Sequence, residues 1–246
     1  MYSYFEIQSK VGITKHMGSL KATKELIELC NIKASDSVLI VGSGNGKSAL
    51  KIHQLTGCRI VGIDISEGMV KSAEEKAKEG LQFMVGNAEN IPCPDNTFDV
   101  VISESVTAFT DKNKSIQEYY RVLKKGGYLG LNEVTWLQEP SARMEDYVKR
   151  VMGLEAENEN HWMSLITQAG FKDVINKIYS MKQGKQFLGE LREQNIGAFK
   201  MWGRFIYYYL KDSEYRKSIN YFVRQARKLP SDFDESFGYG LYVGQK

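Results

Sequence analysis

Cysteine, proline and histidine are scarce in this chain: of its 246 residues only three are cysteine, four proline and three histidine. Cys30, Cys58 and Cys93 are an odd number at spacings that match no zinc pattern, so no metal site is expected and the thiols read as buried or incidental. Capture of arsenic or another soft metalloid by thiolates is the functional alternative. No apolar stretch approaches the ~20 residues that cross a bilayer, and no basic-then-apolar leader opens the chain. Neither a membrane span nor secretion is supported, and a cytoplasmic location is expected. A surplus of one charge is also lacking, since 33 Lys and Arg face 30 Asp and Glu for a net charge of +3. Nucleic-acid binders concentrate a basic face, and Arg224, Arg227 and Lys228, at helical spacing among polar residues, read instead as a solvated face. Nothing in the chain repeats, and no low-complexity tract or flexible linker divides it. What it does have is 42% hydrophobic residues, enough to bury a full core as one α/β domain with a helical insertion.

The most informative stretch is V-L-I-V-G-S-G-N-G at residues 38–46, an apolar run that breaks into Gly42, Gly44 and Gly46. A second apolar run, R-I-V-G-I-D, ends in Asp64. A parallel strand stopping at a glycine-rich turn lets a ligand approach bare backbone at the head of the next helix. An acid at the tip of the neighbouring strand can accept both hydroxyls of a ribose. The pair points to an adenosine-containing cofactor. The spacing argues against a dinucleotide, because G-x-G-x-x-G needs glycine where Lys47 stands. It also argues against a phosphate-binding P-loop: Gly46, Lys47 and Ser48 supply the G-K-S end, but the glycine required five positions earlier is Val41.

Apolar runs alternate with helical patterns along the chain, which predicts a parallel sheet covered on both faces. Ala22, Leu26, Leu29 and Cys30 form a helical stripe. Ser66 is placed to cap a helix with Met69, Val70, Ala73 and Ala77 inward, ending at Gly80. Further strands are expected at 81–85, 98–103, 128–134 after the Gly126-Gly127 break, 171–179 and 238–243. Between the last two lies residues 182–236, with the aromatic-rich helical segments M-W-G-R-F-I-Y-Y-Y-L and Y-R-K-S-I-N-Y-F-V. An insertion there would sit over the carboxyl edge of the sheet, making it a candidate substrate lid that offers Trp202, Tyr207 and Tyr208. The competing reading packs Trp202, Phe205, Phe222 and Val223 into a core. Tyr207, Tyr208 and Tyr209 cannot all face one way on a helix, so at least one should meet the pocket or solvent. Residues 1–18, with Tyr2, Tyr4, Phe5 and His16, could close the other side, and Tyr4 joins the substrate candidates.

With F-M-V-G-N-A-E-N-I-P-C-P-D-N-T-F-D-V-V-I-S at 83–103 and R-V-L-K-K-G-G at 121–127, the chain resembles the class I S-adenosylmethionine-dependent methyltransferases. The branch is that of the ubiquinone and menaquinone C-methyltransferases and many small-molecule methyltransferases. The resemblance covers roughly residues 20–179. It implies a Rossmann-like, seven-stranded, mostly parallel sheet whose last strand returns antiparallel. It divides one domain into a cap segment (1–18), a cofactor-binding core (20–180), a helical lid (182–236) and a final strand (238–243). S-adenosylmethionine is the implied cofactor and S-adenosylhomocysteine the product. Gly42, Ser43 and Gly44 would pass close to the cofactor, Gly46 would pack the next helix, and Asp64 would hold the ribose. Ile65 and Met69 would flank adenine, and Asn87 and the Ala88 amide would meet its edge. The family more often has Asp at position 87. It also commonly has an acid at position 40, where this chain has Ile; the cofactor's amino group would then rely on the Ser103 carbonyl and on Glu6 or Glu104.

Holding a nucleophile in line with the methyl can supply roughly 7–11 kcal/mol of barrier reduction, so a dedicated base is optional. The candidates are Glu104 and His16, with His161 behind them. The expected activity is methylation of a small molecule at N, O, C or S; aromatic residues in a lid suit both an apolar ring and an amine. The alternatives are a cofactor-binding regulatory module without transfer activity and a nicotinamide-dependent oxidoreductase. The sequence gives no indication of oligomeric state.

Overall fold

The structure, a computed structural model, describes residues 1–2, 4–11, 16–180 and 197–246. Seven strands form one sheet: β1 (Ser37–Val41), β2 (Arg59–Asp64), β3 (Leu81–Val85), β4 (Phe98–Glu104), β5 (Leu123–Trp136), β6 (Lys172–Ser180) and β7 (Phe237–Gln245). Their order is 3-2-1-4-5-7-6, with a two-residue strand, Glu157–Asn158, joining the end of β5. Strands β1 to β5 pair in parallel, and β7 runs antiparallel between β5 and β6.

The apolar runs form a sheet buried on both faces because their side chains alternate between two cores. In β1, Leu39 and Val41 join one cluster while Val38 and Ile40 join the other. The expected Gly126-Gly127 break is present as a bulge: Leu123 pairs with Phe98, and regular pairing resumes only at Tyr128 opposite Val100. Gly126, at φ 80°, supplies the left-handed residue that the excursion requires.

Helices cover both faces: α2 (Ser19–Leu29), α3 (Lys47–Thr56), α4 (Glu67–Glu74), α5 (Lys112–Val122) and α7 (Glu159–Gln168), with α6 (Ala142–Tyr147) beyond β5. Ser66 caps α4 by accepting from the Met69 amide, and Asp111 and Asn158 cap α5 and α7 in the same way. Helix α4 ends at Glu74, six residues before Gly80, where the Lys76 and Ala77 amides turn to carbonyls three residues back. Ala77 is therefore exposed rather than inward.

A separate helical cap stands over the sheet. It is built by α1 (Tyr4–Val11), α8 (Gly197–Lys211) and α9 (Ser213–Ala226), with the short α10 (Phe233–Ser236) leading into β7. Ile7 and Val11, one turn apart on α1, and Tyr215 on α9 are its buried centre, with Phe205, Tyr208, Tyr209, Ile219 and Phe222 packed around them. Of the four residues assigned to a core here, Phe205 and Phe222 take that role. Trp202, 58% exposed, meets Phe205 edge-on at the rim of the cap and stays outside its buried cluster, as does Val223, 50% exposed. Residues 182–196 of the expected lid lie outside the described residues.

Candidate functional site

Strand order reverses between β1 and β4, and at such a switch point the loops leaving the carboxyl ends diverge and leave a crevice. Here it is a cavity of about 570 Å³. Its floor is the turn after β1. Gly42, Gly44 and Gly46 have φ of 64°, 53° and 79°, a left-handed region costly for any side chain. At Gly42 a Cβ would also lie 2.2 Å from Val106 Cγ2. Gly42 and Gly44 border the cavity. Gly46 does not; a Cβ there would meet Phe83 on β3 and Ala73 on α4, so the turn packs closely against both.

Asp64 ends β2 facing this turn. Its Oδ2 accepts from the Gly44 amide at 2.8 Å and its Oδ1 from the Ser66 amide at 2.9 Å. A carboxylate has about four acceptor positions, so each oxygen retains one for a ligand. Ile65, 75% exposed, and Met69 on α4 extend an apolar surface beside it. Beyond β3, Gly86, Asn87, Ala88 and Glu89 form the next edge. The Glu89 amide donates to Asn87 Oδ1 at 2.9 Å, so that oxygen is already half used.

The loop after β4 supplies the facing edge with Glu104, Ser105, Val106, Phe109 and Thr110. Its shape depends on Glu133, a buried carboxylate near the carboxyl end of β5. Val106 and Thr107 amides donate to Oε1 at 3.0 and 2.7 Å, and the Ala108 amide to Oε2 at 3.3 Å. Burial raises this carboxyl to about 7, against the pull of those three donors. Glu104 is also buried, at 8% exposure. Thr23 donates its hydroxyl to Glu104 Oε1 at 2.8 Å and His16 Nδ1 lies 3.4 Å from the same oxygen, while Oε2 is buried with no partner.

The cap closes the cavity with Tyr2, Glu6 and Lys10. Asp212, between α8 and α9, organises this wall: it accepts from the Tyr215 amide at 2.9 Å and the Tyr2 hydroxyl at 3.0 Å, and it pairs with Lys10 at 3.4 Å. The Tyr215 amide, with Tyr2 and Lys10 behind it, holds the Asp212 carboxyl below its ordinary range. Lys10 also lies 4.3 Å from the Tyr2 ring centre and 4.9 Å from that of Tyr208.

Of the residues singled out from sequence, Gly42, Gly44, Asp64, Ile65, Met69, Asn87, Ala88 and Glu104 border one cavity. Several others do not. Ser43 turns its amide to the Ile63 carbonyl and buries its hydroxyl. Ser103 is wholly buried and hydrogen-bonded to Thr107, one residue short of the strand tip. His16 lies behind Glu104, so it can position that carboxylate but is not at the cavity wall. His161 is 54% exposed at the start of α7 and likewise absent from that wall. Trp202, Tyr207 and Tyr208 do not border the cavity: Tyr208 packs inside the cap, and Tyr207, 60% exposed, is the tyrosine that meets solvent. The side chain of Tyr4 is outside the described residues. The cysteines are poor nucleophiles, with Cys30 buried and its thiol pushed up to about 12. The groups missed from sequence are Lys10, Glu133 and Asp212. An acid inside the apolar run L-G-L-N-E-V-T-W was the available signal for Glu133, since a charge in a buried strand needs dedicated partners; Lys10 and Asp212 carried none.

Residues 39–131 match the family model described as a methyltransferase domain. Over this stretch the chain is similar to a methyltransferase domain. Over 234 residues it is 27% identical to phosphoethanolamine N-methyltransferase 1 of Arabidopsis thaliana, covering 93% of this chain and 46% of that protein. Over 111 residues it is 36% identical to the ubiquinone/menaquinone biosynthesis C-methyltransferase UbiE of Escherichia coli, covering 42% of this chain and 44% of that one. The chain thus spans less than half the length of these curated relatives. Among solved structures, Haemonchus contortus phosphoethanolamine N-methyltransferase 2 in complex with S-adenosyl-L-methionine aligns with a TM-score of 0.72 at 20% identity, over 98% of this chain and 56% of that one. The [4+2]-cyclase SpnF aligns with a TM-score of 0.73 at 19% identity, over 98% and 92%. These two likenesses concern the fold, which this chain shares with a methyltransferase and with a cyclase alike.

Proposed function

We propose that this chain is an S-adenosylmethionine-dependent methyltransferase acting on a small molecule. The observation that carries the reading is Asp64, whose two oxygens are each held by one backbone amide beside the Gly42–Gly44 turn and each keep an acceptor position at the cavity. The residues fit the cofactor. Gly42 and Gly44 leave space that side chains would fill, Asp64 suits the ribose, Ile65 and Met69 suit adenine, and Asn87 and the Ala88 amide can meet its edge. When bound, the cofactor supplies an electrophilic methyl on a sulfonium sulfur. What the chain contributes is orientation and exclusion of water, with the cap residues Tyr2, Glu6 and Lys10 left to meet the methyl acceptor.

Charge supports an amine as that acceptor. Beyond Asp64 and Glu104, which would serve the cofactor, two carboxylates, Glu6 and Glu89, and one lysine, Lys10, border the cavity, and that balance favours a cationic ligand. The two relatives named for phosphoethanolamine and for quinone biosynthesis define the two arms of the test. Release of S-adenosylhomocysteine would be followed with a panel of small amines, including phosphoethanolamine, and with phenolic and quinol rings. Turnover confined to rings would overturn the amine reading. The cofactor itself is tested by calorimetry: S-adenosylmethionine and S-adenosylhomocysteine should bind and NAD should not. Asp64→Ala should lose about ten- to a hundredfold in cofactor affinity, the worth of a charged hydrogen-bonding group. Binding of the cofactor without turnover on any acceptor would favour a regulatory module.

A further inference from the structure

Methyltransferases of the kind this chain resembles commonly hold the cofactor's amino group with an acid in the first strand, and that position is Ile40, 2% exposed and packed in the sheet core. We infer that Glu104, at the tip of β4, is the carboxylate that receives the cofactor's ammonium group; the inference rests on the function proposed above. Ile40 pairs in register with Ile102, so Glu104, two residues further along β4, projects from the same face of the sheet, nearer the carboxyl edge. It borders the cavity, as Ile40 does not.

The hydrogen bonding of Glu104 is half complete. Thr23 occupies Oε1 with His16 alongside, which fixes the orientation of the carboxylate, and Oε2 is left buried without a donor. An unpaired buried acceptor is costly, and for a charged group more so, unless a ligand completes it. Asn132, registered opposite Glu104 on β5, likewise leaves its buried Oδ1 unpartnered while donating Nδ2 to the Met17 carbonyl at 2.6 Å. An ammonium, with three donors and no acceptor, is the chemical group that such a site lacks. Glu6 borders the same cavity but is exposed; a carboxylate already in water gains less from an ion partner than a desolvated one. His16 and Thr23 are positioning residues here, acting through Glu104.

The test compares S-adenosylhomocysteine with its deaminated analogue, which lacks only the amino group, by calorimetry on the full chain. The parent should prefer the natural ligand, and Glu104→Gln should weaken its binding about ten- to a hundredfold while leaving the analogue within about twofold, as expected for loss of one charged partner. Retained analogue binding also reports that the variant is folded. Should Glu104→Gln fail to fold, Glu104→Asp, which keeps the charge but retracts it, should show the same selective loss to a smaller degree. Glu6→Gln should bind both ligands as the parent does. A parent that binds the two ligands equally, or a Glu104 variant that loses both alike or neither, overturns the assignment; a selective loss in Glu6→Gln transfers it to Glu6. If the parent binds neither ligand, the methyltransferase reading itself has failed.

Discussion

On the sheet side of the cavity, Asp64, Asn87 and the loop at Val106–Ala108 are all fixed through backbone amides, within a few residues or across one strand register. On the cap side, Tyr2 and Lys10 are fixed by Asp212 and by Ser218, whose hydroxyl accepts from the Tyr2 amide at 2.8 Å; the Tyr2 contacts are separated by 210 and 216 positions in sequence. The first wall is an extension of the ladder and can only be moved by breaking the sheet. The second is a docked assembly whose contacts form only when the start of the chain meets α8 and α9. Rigid strand tips suit the constant part of a reaction, and a docked cap suits the part that selects the acceptor or opens to release it.

The largest effect that would sharpen this contrast is expected at Gly42. Gly42→Ala combines a left-handed backbone with a 2.2 Å approach to Val106 Cγ2. Denaturant unfolding should show a loss of about 2–4 kcal/mol, the sum of strain and overpacking, along with the loss of cofactor binding. An ordinary surface-sized change would mean that the turn is adaptable and not an extension of the ladder.

Glu133 tests the same wall through pH. Its carboxyl is raised in the folded state from 4.5 to about 7, so its contribution is fully present below about pH 4.5 and is lost as pH rises through 7. The parent should become less stable between pH 5 and 8, by up to about 3 kcal/mol at roughly 1.4 kcal/mol per unit of displacement. Glu133→Gln, which keeps an acceptor for the Val106 and Thr107 amides, should flatten that slope in thermal melts. Parallel slopes for parent and variant would exclude Glu133 as the titrating group.

On the cap side, Asp212→Ala removes a helix cap and the anchor of Tyr2 and Lys10. A measurable loss of stability is expected from the helix cap and the hydrogen bond to Tyr2. The acceptor's KM should rise while S-adenosylhomocysteine affinity stays within about twofold of the parent. An equal loss of cofactor affinity would dissolve the distinction between the two walls. The smallest effect belongs to Trp202, exposed and away from the cavity. Trp202→Ser should change stability and cofactor affinity by less than about 0.5 kcal/mol, and a large KM effect would restore it as a substrate residue.

The sheet side was legible in the chain because it is written in contiguous motifs: the glycines at 42, 44 and 46 lie immediately past an apolar run, Asp64 ends the next run, and Asn87 and Ala88 follow the third. Less legible was which way each side chain faces. Ser103 and Ser43 sit beside residues that border the cavity, but their side chains turn inward, since strand and turn geometry turn neighbouring side chains in different directions. Trp202 and Tyr207 belong to an aromatic segment that does form a cap, but at helical periodicity the inward set is Phe205, Tyr208 and Tyr209. Composition shows that a segment is amphipathic; only its partner decides which stripe is covered.

The sequence by itself determined the alternation of strand and helix, the glycine turn and the carboxylate facing it. These depend on backbone conformation and on spacing within a few residues, which local physics settles. Tertiary structure alone decided that Glu104 is buried with one oxygen unpaired, that Glu133 clamps the loop after β4, and that Lys10 and Asp212 meet at the cap. Each of these depends on desolvation and on distances between groups far apart in the chain, and such quantities exist only once the sheet and its cap have packed.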